Sequence, residues 1–169
     1  MSDLILALDQ GTTSSRSILF NEQAKIQAIS SVPLDCSFPR SGWVEQDPEE
    51  IWETQHRTIE EVLSEAGVSM ADVTAVGITN QRETTIAWNR KTGESLFFAI
   101  NWQCRRTADF CNTLKTEGFD ELIQTRTGLM TDPYFSGTKM RWILENVPEA
   151  KRLAKRGQLC FGTVDSWLI

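Results

Sequence analysis

The sequence predicts a mixed α/β domain whose mixed sheet opens as a β-meander and is flanked by helices. Three observations carry that expectation. Short apolar runs parted by polar turns fill the chain as far as Val32. From Asp47 to Gly67, apolar residues recur at helical spacing between a clear start and a clear stop. Strand-like and helix-like stretches then interleave along the rest of the chain, as in α/β layer architectures.

Taken in order, Leu4-Ile5-Leu6-Ala7-Leu8 is a continuous apolar run, suited to a strand buried on both faces. Residues 16–20 and 25–32 read as two further strands, with Asn21-Glu22-Gln23 as the turn between them. An irregular segment, Pro39-Arg40-Ser41-Gly42-Trp43, leads to the helix. There Asp47 stands as N-cap, Pro48 at the first helical position and Glu50 three residues after the cap. Trp52, Ile59, Val62, Leu63 and Ala66 supply the apolar stripe, and Gly67 sits where a C-cap belongs. Residues 73–79 read as a strand with 84–89 as its neighbour. Arg90-Lys91-Thr92-Gly93 is a turn before an extended piece reaching Trp102. Helical patterns follow at 106–116, 119–125, 136–146 and 149–155, the last two separated by Pro148, and 158–161 is a short strand.

With no internal repeat, low-complexity stretch or linker, residues 1–169 count as one domain. Asp165 could cap a final helix, yet only Ser166-Trp167-Leu168-Ile169 follow it. Apolar residues one turn into a helix make an unusual terminus, so a truncation is expected.

Composition narrows the function classes. At 40% hydrophobic and 24% charged the chain suits a soluble domain with a real core. Its net charge of -6 repels phosphate backbones, so no nucleic-acid partner is expected. No apolar run approaches a membrane span, and MSDLILALDQ lacks a basic region with a cleavage site, which points to a cytoplasmic protein without a membrane partner. Cys36, Cys104, Cys111 and Cys160 form no CxxC pair, and the one histidine, His56, falls on a polar helix face. Neither a zinc site nor a Ser-His-Asp arrangement is suggested, and the cysteines read as reduced residues near the core.

Chemistry concentrates first in DQGTTSSR, residues 9–16, between two strands. Gly11 lets backbone approach a ligand, and Thr12, Thr13, Ser14 and Ser15 add hydroxyls. Arg16 adds a cation suited to phosphate. Asp9, at a strand end, could hold a hydrated Mg²⁺. The pattern lacks a Walker loop's lysine and following helix, and a polar hairpin turn would have the same spacing. The loop alone does not decide between the two.

Three other stretches bear on the choice. Arg82-Glu83, after the strand 73–79, joins donors to acceptors as vicinal hydroxyls require, though an exposed ion pair reads equally well. Trp102 at a strand end could wall a carbon skeleton or fill a core. Tyr134 stands in the loop Asp132-Pro133-Tyr134-Phe135, before a helix that Ser136 could cap.

Together, ALDQGTTSSR, GWVEQDPEEIW, GITNQRETTIAW, WQCRRTAD, TGLMTDPYFSGTKMRWIL and FGTVDSWLI resemble the amino-terminal portion of the FGGY carbohydrate kinases, and within them the members that act on glycerol. The resemblance runs from Leu4 to Ile169; Asn101 departs from it, standing where the family commonly has an apolar residue. It implies an actin-like, hexokinase-like (ribonuclease H-like) ATPase fold and ATP-dependent phosphorylation of glycerol to sn-glycerol 3-phosphate. It implies that Thr12, Thr13, Ser14 and Arg16 meet the nucleotide phosphates and that Asp9 orients Mg²⁺ through water. Arg82, Glu83 and Tyr134 would hydrogen-bond glycerol, with Trp102 against its carbons. The family's general base and carboxy-terminal nucleotide-binding domain lie beyond the match, so no catalytic residue is expected in this chain and the 169 residues alone are expected to be inactive. A kinase for another polyol or sugar, or a non-catalytic binding module, are the competing readings. Oligomeric state is left open, a homo-oligomer included.

Overall fold

A computed structural model describes residues 3–169; Met1 and Ser2, which open the stretch read for leader character, lie outside it. The strands are β1 (Leu4–Gln10), β2 (Ser14–Phe20), β3 (Ile26–Pro33), β4 (Glu45–Gln46), β5 (Val73–Asn80), β6 (Ile86–Asn89), β7 (Ala99–Ile100) and β8 (Leu159–Gly162). The helices are α1 (Pro48–Ala66), α2 (Ala108–Thr116), α3 (Phe119–Thr127), α4 (Ser136–Asn146), α5 (Pro148–Lys155) and α6 (Val164–Leu168). Two compact units form. One comprises residues 3–36, Asp47–Gln81 and Val164–Ile169; the other comprises Ser37–Gln46 and Arg82–Thr163.

In the first unit β1, β2 and β3 make the expected antiparallel meander, and β5 joins the far side of β1 in parallel, giving the order β3-β2-β1-β5. α1 packs against β2 and β3. Asp47 caps it by accepting from the Glu49 amide (2.9 Å), and Gly67 ends it at φ 67°, a left-handed conformation that glycine adopts without strain. Glu50 makes no reciprocal capping bond and instead lies 3.5 Å from the Asp35 amide. Leu4, Leu6, Leu8, Leu19, Ala28 and Val62 form the core, with Ile59, Leu63, Ala66 and Ile78 against it. β1 is therefore buried on one face rather than two: Ile5, pointing the other way, is 45% exposed. Trp52 also departs from expectation. It lies off the stripe, exposed, with its ring 5.8 Å from that of His56, while Ile51, Gln55 and Thr58 take the buried face.

In the second unit β4 pairs with β7 and β6 with β8, both antiparallel. Residues 84–89 are thus not a neighbour of β5. The chain turns at Glu83, which holds a positive φ of 68°, and leaves the first sheet before β6 begins. α5 packs on β6 and β8 through Ala150 and Leu153, and Ile143 of α4 is fully buried. Asn101, polar where an apolar residue was expected, is fully buried and satisfied: its Nδ2 donates to Gln46 Oε1 and its Oδ1 accepts from the Gln103 amide, both at 2.9 Å. α6 starts two residues earlier than a cap at Asp165 would give, so Asp165 lies inside it and accepts from Asn80 Nδ2 (2.5 Å) rather than capping it. All four cysteines are free, Cys104 and Cys111 buried, Cys36 and Cys160 half-buried. Among the described residues no helix is long and apolar enough to cross a membrane.

Candidate functional site

The hydroxyl-rich stretch closes the β1–β2 hairpin. Asp9 faces Arg16 and Gln10 faces Ser15 across the ladder, and Gly11 N donates to Ser14 O (3.0 Å), which puts Thr12 and Thr13 at the tip. A Cβ on Gly11 would stand 3.1 Å from Ser14 O, so this tight closure suits glycine. The tip is held through its carbonyls: Leu34 N donates to Thr13 O (3.0 Å), and Gln10 Nε2 and Gln81 Nε2 both donate to Gly11 O (3.3 Å). Carbonyls engaged in this way do not turn their oxygens toward an anion at the tip.

Ser15 separates itself from the other hydroxyls. It is fully buried, donating to Gln10 Oε1 (2.9 Å) and lying 2.7 Å from Thr54 Oγ1 of α1, so it ties strand to helix. Thr12 and Ser14 are half-buried and Thr13 is exposed. Arg16 Nη1 stands 3.8 Å from Asp9 Oδ2, with 45% and 46% of the two side chains exposed. So open a pair adds little stability, and both charges remain available. Asp9 belongs to no cluster of three or more His, Cys, Asp or Glu among the described residues. One carboxylate beside hydroxyls fits a Mg²⁺ that keeps its waters and draws most of its binding from phosphates, and does not fit an all-protein cage.

The second unit brings the polyol candidates together. Glu83, at its left-handed turn, sets Oε2 on the N-terminus of α4, where it accepts from Ser136 N (2.8 Å) and Ser136 Oγ (2.7 Å). The positive end of the helix favours a carboxylate there. Ser136 is thus the first residue of α4 and a donor to Glu83, and Phe135, not Ser136, occupies the N-cap. Tyr134 precedes it, its amide donating to Asp132 Oδ1 (2.8 Å). The Tyr134 ring meets Trp102 edge-on, with centroids 6.0 Å apart. Trp102 is held by its amide, which donates to the buried Thr84 Oγ1 (3.1 Å). Arg82 is exposed and makes no hydrogen bond or ion pair with the described residues.

Two side chains given no role by sequence reasoning hold this neighbourhood. Lys139 is fully buried; its Nζ donates to Glu83 O (2.8 Å) and Tyr134 O (2.5 Å). Burial pushes its pKa down to about 8, against Glu83, Cys104 and Asp132 pulling it up, with Arg106 pushing the same way as burial. The spacing of Ser136 and Lys139, three apart on the first turn of α4, was the available signal, because residues three apart share a helix face. Arg106 is the other. Its buried guanidinium reaches Glu45 Oε1 (2.7 Å) and lies 3.9 Å from the Trp43 ring and 4.7 Å from the Trp142 ring, while its Nε donates to Cys104 Sγ (3.0 Å).

Known proteins match along the whole described length. Residues 4–169 fit the model of the FGGY family of carbohydrate kinases, N-terminal domain. The chain is 53% identical over 165 residues to a glycerol kinase of Citrobacter koseri and 54% over 165 residues to one of Escherichia fergusonii, in both cases over 98% of this chain and 33% of the relative. It therefore spans about a third of the length of the curated relatives it matches. The crystal structure of Plasmodium falciparum glycerol kinase with ADP superposes at a TM-score of 0.90 with 31% identity, over 99% of this chain and 33% of that one. Gluconate kinase from Lactobacillus acidophilus superposes at 0.84 with 21% identity over 100% of this chain and 33% of that one, a likeness of fold alone. The fold is the mixed α/β fold of the glycerol and sugar kinases, of the actin-like, hexokinase-like ATPase class.

Proposed function

This chain belongs to the FGGY family of carbohydrate kinases, and on that premise we propose that it is the amino-terminal FGGY kinase domain of an ATP-dependent kinase that phosphorylates a terminal hydroxyl of glycerol to give sn-glycerol 3-phosphate. The observation that carries the reading is the second-unit cluster. Glu83 presents a carboxylate already oriented by two donors of Ser136. Arg82 adds an unengaged guanidinium next to it in the chain, and Tyr134 and Trp102 stand ring to ring. Carboxylate, guanidinium and phenol supply the acceptors and donors of adjacent hydroxyls, and the indole covers the carbon chain.

In the first unit Thr12, Thr13 and Ser14 act as phosphate donors and Arg16 as the fixed cation beside them. Asp9 holds Mg²⁺ through water; when bound, the ion neutralises phosphate charge. No catalytic residue is assigned here. Glu83 is turned toward orientation by its Ser136 bonds, and the general base and carboxy-terminal nucleotide-binding domain belong to chain beyond Ile169. Phosphoryl transfer rests on positioning from several sides, so the 169 residues alone are inactive. The acidic surface keeps the protein from nucleic acids, and we place it in the cytoplasm, away from membranes.

The test is Arg82→Ala in the complete protein. Glycerol phosphorylation is expected to be lost while nucleotide affinity stays, with kinetics and calorimetry as the measures. A wild-type preference for a ketose over glycerol would assign the site to another sugar.

A further inference from the structure

We propose that Lys139 is a positioning residue for the polyol site: its Nζ ties the main chain of Glu83 to that of Tyr134, and so fixes the spacing of the two side chains that meet the substrate's hydroxyls. The inference rests on the reading of Arg82, Glu83, Trp102 and Tyr134 as the polyol site.

The geometry is specific. Glu83 and Tyr134 lie on segments distant in sequence and are joined through α4 in two ways. Ser136 takes the Glu83 carboxylate through its amide and hydroxyl, and Lys139, one turn along the same face, takes the Glu83 and Tyr134 carbonyls (2.8 and 2.5 Å). Glu83 stands at φ 68°, a conformation uncommon for a residue with a side chain, which persists only where its surroundings enforce it. Lys139 Nζ makes the shortest of the three bonds to the carbonyl of that strained residue, the others coming from Thr85 Oγ1 (3.1 Å) and Ser136 Oγ (3.4 Å). A buried ammonium is unfavourable unless its donors are engaged, and packing alone would be served better by an apolar chain. The centre of the Tyr134 ring lies 5.9 Å from Nζ, so the atom that holds the tyrosine's carbonyl also stands near its side chain. Glu83, Cys104 and Asp132 from neighbouring segments favour the charged form, whereas Arg106 opposes it. Lys139 touches no reacting atom on this view; it acts through Glu83 and Tyr134.

The experiment compares wild type and Lys139→Met in the complete kinase. Methionine keeps the volume of the stem and removes all three donors. If Lys139 positions the site, kcat/KM for glycerol falls about tenfold or more, because displacements of about 1 Å cost at least that much, while KM for ATP stays within about twofold. A folded Lys139→Met protein with unchanged kcat/KM for glycerol overturns the proposal, since filler in the core would show that result. Should Lys139→Met not fold, Lys139→Gln, too short to reach both carbonyls, is read by the same ratio. If the wild-type protein does not phosphorylate glycerol, the functional reading falls by itself. The tie is then read from near-ultraviolet circular dichroism of the Trp102–Tyr134 pair. A changed signal in Lys139→Met at unchanged far-ultraviolet signal supports it, and an unchanged one overturns it.

Discussion

In the first unit, Asp9, Thr12, Thr13, Ser14 and Arg16 fall on one hairpin, shaped by the Gly11–Ser14 bond and the ladder on either side. In the second, Glu83, Trp102 and the Tyr134–Lys139 stretch come from separate segments; a backbone bridge between Thr85 and Ile100 joins the first two, and side-chain bonds and ring contacts bring in the third. The hairpin is a local object whose geometry follows from backbone pairing. The candidate polyol cluster is a tertiary object, and buried polar side chains such as Lys139 and Thr84 reinforce it as the ladder does the hairpin. Two modes of construction imply two sensitivities. Single side-chain deletions behind the hairpin should leave its shape in place, whereas deletions behind the cluster should disturb it.

The sharpest attempt to break that contrast is Arg106→Leu. It would leave Glu45, 5% exposed, without its partner, and removing one member of a buried ion pair costs about 3–5 kcal/mol. Urea unfolding should show that loss. A loss below about 1 kcal/mol would mean the edge-to-face Trp43–Trp142 pair holds this corner without the charge.

Next in size is a pH effect. The Lys139 pKa of about 8 lies below its ordinary 10.5, so between those values the unfolded chain binds a proton that the folded chain does not. Stability therefore rises with pH across that window, by an amount on the order of a few kcal/mol. Relative to Lys139→Met, whatever their offset at pH 7, wild type should gain as pH rises from about 8 to about 10.5. Parallel curves would contradict burial of a titrating lysine.

The smallest effect belongs to the first unit. Gln55 Nε2 donates to Arg16 O (3.1 Å) and to the Ser17 and Thr58 hydroxyls (3.0 Å each), while its Oε1 is buried without a partner among the described residues. Gln55→Leu gives up those donors and also an unsatisfied carbonyl, so a loss of about 1 kcal/mol is expected. Amide exchange at the hairpin tip should stay as protected as in wild type. Faster exchange there would show that the hairpin, too, depends on its tertiary support.

What could be read in advance follows the same division. The meander, α1 with its Asp47 and Gly67 ends, the start of α4 at Ser136 and the candidate hairpin all rest on neighbours within a turn or a strand pair, and they stand where the pattern put them. Apart from the helix caps expected of Asp165 and Ser136, the misplacements are matters of burial or pairing at a distance. Residues 84–89 were matched to the wrong sheet because period and composition do not name a strand's partner. Trp52 was assigned to the core by spacing, although the buried stripe runs through Ile51, Gln55 and Thr58, with polar groups serving the strand behind it. Ser15 looked like one of four equivalent hydroxyls until the ladder turned it inward to Gln10 and Thr54.

The sequence by itself determined the fold class, the order of the longer elements though not the two-residue β4, and which residue types could grip phosphate or polyol, because caps, turns and amphipathic periods are written within a few residues of one another. Tertiary structure alone decided that Glu83 takes a left-handed turn onto the N-terminus of α4. It also decided that Lys139 is buried behind Glu83 and Tyr134, and that Arg106 packs against the rings of two tryptophans. The reason is physical. A buried charge persists only where partners arrive from elsewhere in the chain to offset its lost hydration, and those arrivals are set by packing.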